Sequence, residues 1–70
     1  MSDIEFLQMS VTKKLIELLM TERNLSFQKA FELLSNSNTF RLLMDKETAL
    51  YRESPYYVNL YLEEELANRS

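Results

Sequence analysis

Apolar residues recur along the first third of the chain at the spacing of a helix. Ile4, Leu7, Val11, Leu15 and Leu18 fall on one stripe. That stripe predicts a helix that begins after Ser2 or Asp3, either a suitable cap, and runs to about residue 23. Asn24 then suits a left-handed stop, standing in for a glycine. Ser26 caps a second predicted helix over 27–34, with Phe27, Ala30, Phe31 and Leu34 on one face. The turn-formers of 35–38, SNSN, break the pattern. A short third helix is expected over 39–44, with Phe40, Leu43 and Met44 facing inward. The stretch DKETALYRE reads as a polar connection around Ala49, Leu50 and Tyr51, an apolar group that can fold back onto the core. Ser54 caps a last helix over 55–68, with Pro55 at its first position, where a missing N–H costs nothing. On that helix Val58, Tyr61, Leu62 and Leu66 share a face. Tyr61 is therefore expected in the core or at its boundary, with its hydroxyl at water. The expected fold is all-α: a compact bundle of three to four helices, with a long first helix, two short ones and a C-terminal helix.

Two departures from a single apolar stripe point to partners. The first helix carries a second row, Phe6, Met9, Ile16 and Met20, with Lys13 in its middle. The lysine stem can lie along apolar surface. A helix apolar on two sides is either central to its own domain or shared with a second chain. The other predicted helices are short and poorly able to wrap it, so self-association through this row is expected. The plainer alternative is that those helices flank it on both sides. On the last helix, Tyr56 and Leu60 point away from the core face and Tyr57 lies between. These residues form a second candidate interface, unless they are ordinary surface scatter or are covered by 49–51.

Composition narrows the chemistry. Seventy residues bound the chain to one domain, 1–70, and a domain this small needs dense helix packing, a staple or a partner. The chain has no cysteine and no histidine, which excludes disulfides and the usual zinc sites. It has no glycine, which excludes phosphate-cradling loops of the Walker and Rossmann kinds. No cofactor is expected. A net charge of −3 leaves no footprint for nucleic acid or anionic membrane. No apolar run approaches the roughly 20 residues of a membrane span. The opening MSDIEFLQMS lacks the basic start of a secretory signal, so the expected location is cytoplasmic.

Catalytic constellations are equally thin. Glu63, Glu64 and Glu65 are consecutive on a helix and point in three directions, so they read as a solvated acidic surface and not as a metal or acid–base site. Serines and threonines have no histidine base, and a tyrosine acid would need a positioned substrate site. No enzyme activity is expected. The segment LSFQKAFELLSNSNTFRLL has the outline of a helix-turn-helix, in which Asn38, Thr39 and Arg41 would face bases. Phosphate anchors are few (Lys29, Arg41, Lys46, Arg52), and Glu32, Asp45 and Glu47 lie among them. An ordinary helical corner is the simpler reading.

Asp45, Glu47, Thr48, Leu50 and Tyr51, followed by Ser54, Pro55, Tyr57 and Val58, make a D-x-E-T-x-L-Y connection and an S-P-x-Y-V helix start. This pattern covers roughly the second half of the chain. It resembles small all-helical bacterial proteins of unknown function, some encoded beside candidate toxins or other small uncharacterised proteins. The resemblance implies no activity. It implies a partner-binding protein and an ordered connection over 45–54. The expected function is thus a non-enzymatic interaction module, a homodimer or a binder of a protein encoded nearby. The alternative is a small helix-turn-helix DNA-binding regulator.

Overall fold

Each helix begins where a serine can cap it. In the computed structural model, which describes residues 2–69, four α-helices and two 3-10 turns follow one another, with no strand among the described residues. Helix α1 spans Asp3–Glu22, α2 Phe27–Ser35, α3 Asn38–Met44 and α4 Pro55–Asn68. The hydroxyls of Ser2, Ser26, Ser37 and Ser54 accept from the backbone N–H of Glu5, Lys29, Phe40 and Tyr57 respectively. Each satisfies one of the N–H groups a helix start leaves open. As expected, Asn24 ends α1 with φ 55°, and the Leu25 N–H returns to the Met20 carbonyl at 3.2 Å. The 3-10 turns, Lys46–Thr48 and Leu50–Arg52, meet at Ala49, which is also left-handed at φ 57°. Among the described residues no helix is long and apolar enough to cross a membrane.

The core joins every α-helix to the second 3-10 turn. Val11, Leu15, Ile16 and Leu19 of α1 meet Ala30 and Leu34 of α2, Leu43 of α3, Tyr51, and Val58 and Leu62 of α4. Burying a leucine or valine fully contributes about 1.5–3 kcal/mol. Helix α1 is the central element. It pairs with α2 after the tight turn at Asn24, and with α4 in the same sense, Lys14 meeting Tyr56 while Arg23 meets Glu63. The radius of gyration, 11.4 Å, is close to the ~11 Å of a compact chain of this length.

Side chains depart from the expected pattern in four places. On α1, Leu19 and not Leu18 is fully buried, while Leu7 is exposed and Gln8 is buried. The stripe is turned because α3 and α4 sit on different sides of α1 and set which residues are covered. On α2, Ala30 and Leu34 pack inward, but Phe27 and Phe31 stay exposed, stacked at 6.2 Å between centroids. A small residue and one leucine bring α2 close to α1, and the two larger rings are left on its flank. On α3, Met44 is exposed and Phe40 is only half-buried. On α4 the buried residues are Val58, Asn59 and Leu62, so Tyr61 is not core but 46% exposed. At about 100° per residue, a face centred between Val58 and Asn59 places Tyr61 well outside it.

Candidate functional site

The outward apolar residues gather on two surfaces. The first lies between α1 and α3. Its floor is Gln8 and Ile16, and its walls are Met9 and Thr12 on one side and Phe40 and Met44 on the other, enclosing about 470 Å³. Glu5 and Lys13 complete the lining. Gln8 holds the groove together. Its Nε2 donates to the carbonyl of Leu43 at 3.1 Å, one of the last-turn carbonyls that a helix leaves without an internal partner. Beside the groove a second, shallow hollow on α1 is lined by Phe6, Met9, Ser10 and Lys13. Phe6 is 61% exposed there.

The row expected to dimerise is therefore divided. Phe6 and Met9 stand in solvent. Ile16 does not: only 9% of it remains exposed, because α3 packs beside it. Met20 is half-buried against the core. The flanking of α1 by its own helices is realised over its second half and fails over its first. Phe40 and Met44, read from sequence as inward, line the groove, as does Gln8. Their part in it depends on where α3 lies against α1, which no local spacing encodes.

The second surface is on α4. Tyr56, Tyr57, Leu60 and Tyr61 are all exposed. Tyr57 and Tyr61 meet edge to face, with centroids 5.3 Å apart and their hydroxyls 3.1 Å apart. That hydrogen bond holds the Tyr57 hydroxyl above its ordinary pKa. Lys14 of α1 places its ammonium 5.6 Å from the centre of the Tyr56 ring. Tyr56, first among its neighbours, and then Glu17 hold the Lys14 pKa above its ordinary value. The pair ties this surface to α1.

The acidic run is less solvated than expected. Glu63 pairs with Arg23 at 2.7 Å. Glu65 reaches the start of α3 and accepts from the N–H groups of Asn38 at 2.7 Å and Thr39 at 2.9 Å, and from the Thr39 hydroxyl at 2.8 Å. Burial alone raises its pKa, but these three bonds and the nearby Arg69 outweigh burial and leave it below the ordinary glutamate value. Two residues that a helix-turn-helix would turn toward bases are thus engaged. Thr39 is buried, and the backbone N–H groups of Asn38 and Thr39 face a carboxylate. Set against known protein families, characterised proteins and solved structures, the chain matches none of them.

Proposed function

We propose that this chain is a non-enzymatic protein-interaction module that works as a cytoplasmic homodimer. The observation that carries the reading is the exposed pair Phe6 and Met9 beside the groove on one side of α1. Phe6 and Met9 project into solvent next to a cleft of about 470 Å³ floored by Ile16 and walled by Phe40 and Met44. Contiguous apolar surface of this kind, rimmed by charged residues, is characteristic of docking sites. A chain of 70 residues gains stability by covering it. Light scattering at high micromolar concentration should give twice the chain mass. Phe6→Glu should give a folded monomer, because Phe6 contributes nothing to the core. An unmutated protein that stays monomeric at that concentration overturns the reading.

The α4 surface of Tyr56, Tyr57 and Leu60 suits a second, different protein, in keeping with the resemblance to small helical bacterial proteins encoded beside others. A DNA-binding role has less support. The Glu65 carboxylate sits at the start of the would-be recognition helix, where it would repel phosphates, and the net charge is −3. The chain should flow through a DNA column at low salt.

A further inference from the structure

Glu5 and Lys13 stand on either side of Met9, four residues away in each direction, and both line the groove between α1 and α3. Among the described residues Lys13 makes no salt bridge. A helix surface with one negative and one positive charge placed symmetrically about an apolar centre is complementary to itself when a second copy runs the opposite way. Antiparallel pairing about Met9 puts each Glu5 opposite the other copy's Lys13. Parallel pairing would put like charges together.

The shape agrees with the charge. Met9, Thr12, Lys13 and Ile16 form the four-cornered hole that a facing helix fills with one side chain, and Phe40 and Met44 deepen it. With the two-fold axis at Met9, the residue level with Thr12 is the other copy's Phe6. Phe6 is the most exposed residue of the α1 row, and the hole is ample for its ring.

We infer that two copies of this chain pair through antiparallel α1 helices about a two-fold axis at Met9, each Phe6 seated in the other copy's α1–α3 groove and each Glu5 paired with the other copy's Lys13. The arrangement is isologous and closed, so it stops at a dimer. This inference rests on the proposed self-association and adds its partner orientation and register.

Charge exchange tests it. Glu5→Lys and Lys13→Glu, taken singly, place like charges opposite each other twice and should weaken the dimer on the order of tenfold or more. The double variant should recover the original affinity, and an equimolar mixture of the two single variants should form a heterodimer. Thermal melts of each variant confirm that it folds. Because the chain has no cysteine, single cysteines report the register directly. Met9→Cys should cross-link under mild oxidation. Met20→Cys should not, since its two copies would lie about 33 Å apart along the pair at 1.5 Å per residue. A dimer indifferent to the charge exchange, or one cross-linked by Met20→Cys and not by Met9→Cys, overturns this geometry and leaves self-association standing. A monomeric unmutated protein overturns both.

Discussion

Tyr51 and Tyr61 are the same residue in opposite circumstances. Tyr51 lies in a connection that reads as polar, yet it is only 5% exposed and belongs to the core. Tyr61 lies on a well-capped helix, where spacing assigns it inward, yet it faces solvent with Tyr57. The difference lies in what each backbone segment packs against. Two 3-10 turns fold the connection so that Leu50–Arg52 rests on α1 and α3, driving one ring between them. With that ring in place, α4 approaches α1 through Val58, Asn59 and Leu62, and its tyrosines are left outside. A tyrosine serves either place, since its apolar body and polar tip suit a boundary.

The largest effect should come from breaking this contrast directly. Tyr51→Ala removes a core ring, and buried aromatic-to-alanine changes cost about 3–5 kcal/mol. For a domain this small that approaches the whole stability. Tyr61→Ala should cost less than about 1 kcal/mol, the loss of an exposed edge-to-face pair and one hydroxyl contact. Urea denaturation of the two variants decides it. Equal losses would mean that α4 is turned and both rings are buried.

The contrast also marks what can be read from the chain alone. Helix starts were legible because a serine cap and a following apolar residue are local signals: Ser26 and Ser54 both cap where expected, and Asn24 ends α1 as expected. The core leucines Leu15, Leu34, Leu43 and Leu62 were legible too, as were the outward Phe6, Met9, Tyr56 and Leu60. The phase of a face was less so. Spacing locates an apolar side to within about one residue, and the neighbour that packs there chooses between Leu18 and Leu19, or Tyr61 and Asn59. Ile16 and the groove walls Phe40 and Met44 depend on a contact between elements more than twenty residues apart, which periodicity does not report.

Glu65 is the next largest test, because it joins α4 to α3 without touching the core. Its carboxylate satisfies the first two N–H groups of a seven-residue helix. Glu65→Gln should cost about 1–2 kcal/mol at neutral pH, the range for a cap and for bonds to a charged acceptor. The Glu65 pKa is held down in the folded state, so its contribution is complete above the ordinary glutamate value of about 4.3. It fades as pH falls from there through the lower folded value. The stability difference between the unmutated chain and Glu65→Gln, followed by urea midpoints from neutral to acid pH, should therefore shrink in acid. A constant difference would mean that the carboxylate is not ionised in its contacts.

Asn59 occupies the inner position that spacing gave to Tyr61, and it does so poorly. It is buried, its amide donates to Glu22 at a long 3.4 Å, and among the described residues its Oδ1 has no hydrogen-bond partner. An unsatisfied buried acceptor costs about 1–3 kcal/mol, and an apolar side chain of similar shape avoids that cost. Asn59→Leu should stabilise the fold by about 1 kcal/mol, a rise of roughly 4–8 °C in Tm for a domain of this size. A fall in Tm would show that the amide is satisfied and that α4 is oriented by it.

The smallest effect belongs to the hinge that delivers Tyr51. Ala49 holds φ 57° and ψ 18° between the two 3-10 turns. A left-handed backbone costs a residue with a Cβ roughly 1–2 kcal/mol, and glycine escapes that clash. Glycine also gains freedom in the unfolded chain, which offsets about 0.4–1 kcal/mol of the benefit. Ala49→Gly should thus be neutral or stabilising by up to about 1 kcal/mol. Ala30→Gly, at a buried position inside α2, should destabilise by about 1 kcal/mol or more. The opposite signs separate a strained hinge from an ordinary helical alanine. If Ala49→Gly destabilises as Ala30→Gly does, the connection does not turn at Ala49, and the placement of Tyr51 in the core needs another cause.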